Sequence, residues 1–275
     1  MAKKLIAILE VSLCIALLMV FAHWSIPKVA SSLGVAWGRL YQALLWIVPP
    51  LLYVFLTGKE WSSYGLDFRH TARQSVHFGF WGLMVILVQA PGFLAWGLLG
   101  KTGIFILYGL VVASILLLLW TVRADLPCPR IDWKIAILVA LLMLPGIVAS
   151  LSGRMSLGIL GWQAFYLFTV GLGEEIRSRG YVQSRLNEAF GRPWAIGGTR
   201  FGPGLLIAAV VFGIPHIYQI GAKEPSILIG IGATLGGLFF GIVRERAGSV
   251  LASALVHGVN SAAFDIYRHI FSARP

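Results

Sequence analysis

Nine stretches of nearly continuous apolar residues, each close to the length a helix needs to cross a bilayer, dictate what this chain can fold into. Crossing about 30 Å of hydrocarbon takes roughly 20 helical residues. Candidate spans lie at about 5–23, 41–57, 76–99, 103–122, 134–151, 157–173, 204–222, 226–243 and 249–267, the second and last being the weakest. In lipid every backbone N–H and C=O must be satisfied inside the protein, which leaves helices and closed barrels. Runs such as Ile104 to Trp120 are continuously apolar rather than alternating, so a barrel is set aside. The expected fold class is all-α, a polytopic transmembrane helical bundle of about eight or nine spans. Composition agrees, because 58% hydrophobic against 12% charged residues leaves too little polar surface to cover a water-soluble core.

The first apolar stretch follows Lys3 and Lys4 and is longer than the roughly 7 to 15 residues of a signal-peptide core, so an uncleaved helix is expected. The net charge of +11 does not point to nucleic acid, since the basic residues sit in short connections between spans and build no basic face. They orient the chain instead. With the N-terminus in the cytosol and the segment from Arg177 to Arg200 as a cytosolic loop, 15 of the 22 Lys and Arg residues fall inside and 7 outside. The expected location is a bacterial or archaeal plasma membrane, with the lipid bilayer as partner. Cys14 falls in a span and Cys128 in a loop, which makes them poor disulfide partners, and the Ser-Ala-Arg-Pro end carries no prenylation signal.

Residues 1–150 read as N-terminal helices of unassigned role, interrupted by Pro49-Pro50 and Pro91-Gly92, where kinks are expected. Glu10, one turn from the end of its span, reads as a snorkelling or paired carboxylate. Residues 151–275 differ: glycines such as Gly171, Gly173, Gly204, Gly230 and Gly237 become frequent, and ionisable groups enter apolar context.

Three polar clusters carry the chemistry. In the first, Glu174 and Glu175 close an apolar span within Gly171-Leu172-Gly173-Glu174-Glu175-Ile176-Arg177-Ser178-Arg179-Gly180. Neighbouring helical residues point about 100° apart, so the two carboxylates cannot do one job in one place. Arg179, four residues after Glu175, can hold that carboxylate while Glu174 serves as a base. The second is Phe212-Gly213-Ile214-Pro215-His216, and the third is His257-Gly258-Val259-Asn260-Ser261, where His257 shares a helical face with Asn260 and Ser261. Each cluster alone fits interhelical hydrogen bonding. Together they supply a carboxylate, two imidazoles and an amide, the parts of a hydrolase: Glu174 to take a proton from water, His216 to hold the water, His257 with Asn260 or Ser261 to face an oxyanion. The same two histidines and one glutamate could bind zinc.

Taken in order, Glu174-Glu175-x-x-x-Arg179-Gly180, Phe212-x-x-x-His216 and His257 with its following amide resemble the motifs of the type II CAAX prenyl endopeptidases and the bacteriocin-processing and abortive-infection proteins. These are intramembrane proteases of glutamate type. The resemblance spans about residues 157 to 267. It implies an endopeptidase without a metal cofactor, acting on a membrane-associated peptide or protein, in which Glu174 activates water with His216, Glu175 and Arg179 support the site, and His257 and its neighbour stabilise the oxyanion. The family asparagine stands four residues after the last histidine, where this chain has Ser261, with Asn260 at three; a helix irregularity near Gly258 would bring the amide back into register. The alternative readings are a proton-coupled transporter and a catalytically silent scaffold or immunity protein.

Depth sets one more expectation. His216 lies roughly 18 Å into its span at about 1.5 Å per residue. Glu174 sits nearer the surface, so the helices must tilt or the helix bearing the glutamates must continue past Arg179.

Overall fold

The computed structural model describes residues 2–121, 137, 170–218 and 226–272. The described residues are helical almost throughout: α1 (Ala2–Leu33), α2 (Val35–Leu56), α3 (Phe68–Ile86), a 3₁₀ turn (Leu87–Gln89), α4 (Ala90–Leu99) and α5 (Lys101–Thr121) form the first part. After residue 170 come α6 (Leu172–Glu175), a π-helical segment (Ile176–Gln183) and α7 (Ser184–Phe190), which run on as one rod. An antiparallel hairpin of β1 (Trp194–Ile196) and β2 (Thr199–Phe201) follows, then α8 (Pro203–Ile217), α9 (Ile227–Ala247) and α10 (Val250–Ser272).

Among the described residues five helices are long and apolar enough to cross a membrane: Ala2–Leu33, Trp37–Leu56, Arg73–Trp96, Thr102–Trp120 and Ile227–Ala247. Pro203–Ile217 and Val250–Ala262 are shorter apolar helices. Seven of the nine stretches read from sequence are thus helical, while almost all of 134–151 and of 157–173 lies outside the described residues. The helix from Pro203 stops at Ile217 rather than 222, where Tyr218 leaves helical geometry. Proline acts differently at its two sites. Pro91 follows the 3₁₀ turn at the start of α4, as a ring without an N–H demands, whereas α2 stays helical through Pro49 and Pro50.

Outward faces and inward faces separate as they must in lipid. Leu5, Leu9, Leu13, Leu17, Val20 and Trp24 line an exposed stripe of α1, while its Ala7 and Val11 pack on Ile176, Tyr181, Val182 and Leu186 of the rod. On the rod's other side a second core joins Phe78, Leu83 and Ile86 of α3 to Phe239, Phe240 and Val243 of α9 and Val256 of α10. Among the described residues the rod is flanked by α1, α2, α8, α9 and α10. Every residue of its π-helical segment is buried.

This revises the expected cytosolic loop from Arg177 to Arg200. Arg177 and Arg179 are not solvated loop charges; they are buried in a helix that continues to Phe190, and only the segment after it, with its hairpin, is loop-like. The continuation fulfils the second of the two routes that bring the glutamates to the depth of His216.

Close approach between helices is built with glycine. A side chain at Gly171 would stand 3.0 Å from Gly258 Cα and 2.9 Å from the Ala254 carbonyl, so the rod touches α10 backbone to backbone. At Gly237 an added Cβ would be 3.1 Å from Ala209 Cα, which brings α9 equally close to α8.

Candidate active site

The rod presents Glu174, Glu175 and Arg179 in sequence, and helix geometry separates their tasks. Glu175 is fully buried, and its Oε1 accepts from Arg179 Nη1 at 2.7 Å, the pair expected one turn apart. The same oxygen takes a second hydrogen bond from His257 Nδ1 of α10 at 3.0 Å. Arg179 is 1% exposed and donates through Nη2 to the Gly237 carbonyl of α9 at 2.9 Å. Its guanidinium lies over the Phe212 ring of α8, 4.4 Å from the centroid. One buried ion pair thus pins three further helices to the rod.

Buried pairs of this kind are rarely a large net source of stability, because both charges lose their hydration. What they do is fix geometry: once the helices close, each donor has one acceptor available. The His257 ring shows it. An ionised carboxylate can only accept, so the proton facing Glu175 must reside on Nδ1. That hydrogen bond and the stacked Phe240 ring, 4.6 Å away at 20°, hold the imidazole plane.

Glu174 is left outside this network. Its side chain keeps 12% of its surface exposed, and His257 Nε2 stands 3.8 Å from its Oε2. That gap is beyond hydrogen-bond length, so a small bridging oxygen can be shared between the two groups.

His216, near the end of α8, holds its Nδ1 2.8 Å from the Phe212 carbonyl one turn earlier, and the two rings lie 4.8 Å apart. A carbonyl only accepts, so here too Nδ1 carries the proton, and Nε2 of the neutral ring is an acceptor. Glu174 and His257 are among its charged and titratable neighbours.

The structure therefore brings together Glu174, Glu175, Arg179, His216 and His257, from the rod, α8 and α10. Asn260 and Ser261 follow His257 on α10 and are half-buried. That helix is regular through Gly258, so no irregularity shifts Asn260 into the position of Ser261. Among the described residues no hydrogen bond ties either side chain to the cluster. Nor do three or more His, Cys, Asp and Glu side chains among them converge as metal ligands.

Sequence reasoning missed Phe240, the Gly237 carbonyl and a second network below the first. There Gln183 Nε2 donates to Glu245 Oε1 at 2.7 Å, Asn187 Nδ2 to the same oxygen at 2.7 Å, and Arg192 Nε to Glu245 Oε2 at 2.7 Å. Glu245 and Gln183 are 62 residues apart. The one local signal was a glutamate flanked by Arg244 and Arg246 at the end of an apolar span.

The chain matches no curated protein and no solved structure. A match to a family of membrane proteases covers all three polar clusters: residues 156–263 carry a domain that fits the family model Type II CAAX prenyl endopeptidase Rce1-like.

Proposed function

We propose that this integral membrane protein is an endopeptidase in which Glu174 activates a water molecule to cleave a peptide bond of a membrane-associated peptide or protein, near a terminus. The observation that carries the reading is the asymmetry of the two adjacent glutamates. Glu175 is fully buried with its Oε1 engaged by both Arg179 and His257, whereas Glu174 is partly open and faces His257 across a 3.8 Å gap.

In this mechanism water donates one proton to Glu174 and is held by His216 Nε2, and its oxygen attacks the scissile carbonyl carbon. The negative charge that moves to the carbonyl oxygen is met by donors on α10: His257 Nε2 when the ring carries both protons, and Asn260 or Ser261. Glu174 then passes its proton to the leaving amine. Glu175 and Arg179 do not meet the substrate; they hold the His257 ring and the rod in place. The match to a CAAX-type protease family supports the reaction class, and the enclosed depth of the cluster supports a substrate that reaches it from within the bilayer or its edge.

Peptide termini mapped in host membranes carrying wild-type protein or Glu174→Ala test the reading: at least one membrane-derived terminus should vanish with the variant, and identical termini would contradict it. Asn260→Ala and Ser261→Ala divide the remaining role. The residue that donates to the oxyanion should cost about 2.7–4 kcal/mol of transition-state stabilisation, and the other should cost little, measured as kcat/KM on the peptide so identified.

A further inference from the structure

At the end of the bundle where α1 begins and α9 ends lies an open cavity of about 590 Å³, bordered by the loop at Ser62 and Ser63, Phe78 of α3, α7, the hairpin and the last turn of α9. Four arginines line it, Arg192, Arg200, Arg244 and Arg246, against two glutamates, Glu188 and Glu245. Both carboxylates are already engaged: Glu188 by Lys59 at 3.1 Å, Glu245 by Arg192 at 2.7 Å and by the two amides above it. Among the described residues neither Arg200 nor Arg246 has a carboxylate partner, and Arg246 donates only to the Thr199 hydroxyl and the Gly197 carbonyl.

Arg244, only 3% exposed, is held by the Ser63 carbonyl, the Ser184 hydroxyl and Glu245, which leaves Arg200, exposed, as the guanidinium most open to the cavity. Among the described residues the cavity therefore carries more guanidinium than carboxylate, four against two. The hydroxyls of Ser62, Ser63 and Thr199 add neutral donors. Guanidinium forks with hydroxyls around them match the oxygens of a phosphate.

The setting identifies the source. Trp61, Trp120 and Trp194 are exposed at this same end, on the α2–α3 loop, the last turn of α5 and the hairpin. The hairpin turns through Gly197 and Gly198, both at positive φ, and presses so closely on the end of α5 that a side chain at Gly197 would strike the Leu119 carbonyl. Exposed tryptophans gather at headgroup level in a bilayer. With both carboxylates among the described lining residues engaged, the cavity suits a headgroup whose net charge is negative.

We propose that this cavity binds the phosphate of an anionic phospholipid. The test is native mass spectrometry of the full chain in a neutral detergent, with phosphatidylglycerol, phosphatidylcholine and inorganic phosphate offered separately. Wild-type protein should retain phosphatidylglycerol over phosphatidylcholine. An Arg200→Gln, Arg246→Gln double variant should lose roughly 30-fold in affinity, about fivefold per arginine, and Lys28→Gln, at the opposite end, should lose nothing. Arg200→Gln alone alters an exposed side chain, spares the fold, and should lose about fivefold. Equal retention of the two lipids, unchanged binding by Arg200→Gln, or binding of inorganic phosphate without lipid would overturn the assignment.

Discussion

At the residue scale, two neighbouring glutamates end with opposite fates because a helix turns about 100° between them. Glu175 points into a dry interface and is claimed by Arg179 and His257, while Glu174 keeps contact with solvent-sized space. Removing one partner of such a buried pair strands the other charge, at about 3–5 kcal/mol. Arg179→Ala should therefore lower the unfolding midpoint of purified protein sharply, whereas Arg177→Ala, whose guanidinium lies over Trp46 at 4.3 Å, should lower it less; equal midpoints for Arg179→Ala and wild type would contradict the pinning role. Part of this was legible in the sequence. Ionisable groups in apolar runs stand out, and the Glu175–Arg179 spacing alone announces the pair. The His257–Glu175 bond and the Arg179 donation to Gly237 were not, because they join positions 82 and 58 residues apart whose side chains carry no mark of their partner.

At the element scale, the rod from Leu172 to Phe190 decides the arrangement. Continuation past Arg179 was one of the two routes the sequence left open, beside tilted helices, and the rod takes it, but nothing in the sequence announced the π-helical turns of Ile176–Gln183. Such wide turns arise where tertiary packing outweighs the ordinary i to i−4 ladder, and they recur at functional sites. Here the segment carries Arg179 and Gln183 onto α9, at the Gly237 and Gly241 carbonyls respectively. The rod's other anchor is the Gly171–Gly258 contact. Gly171→Ala should push the rod from α10, widen the gap between Glu174 and His257 and lower kcat/KM by tenfold or more, with Gly109→Ala, at a site with open space, leaving it unchanged. Equal activities of the two variants would remove the contact from the account.

At the scale of the whole molecule, relative topology follows from contacts across the bundle. Lys4 lies over Phe190 at 5.4 Å and Lys59 pairs with Glu188 at 3.1 Å, so the N-terminus, the α2–α3 loop and the end of the rod share one face. The 23 residues of α10 start at that face and carry the chain away from it. Basic residues concentrate there, though Arg177, Arg179 and Arg244 are buried and do not act as free loop charges. Reporter fusions after residues 4 and 192 should both read cytosolic and a fusion at the C-terminus should not; opposite readings for the first two would contradict the fold itself. The central claim, that Glu174 is the base for an attacking water, meets its most direct measurement in cleavage of an identified peptide by purified Glu174 variants. A base must sit within about 2.6–3.2 Å of the proton it takes, so Glu174→Gln and Glu174→Asp should both abolish turnover while thermal unfolding stays close to wild type, whereas wild-type cleavage by Glu174→Gln would contradict the mechanism.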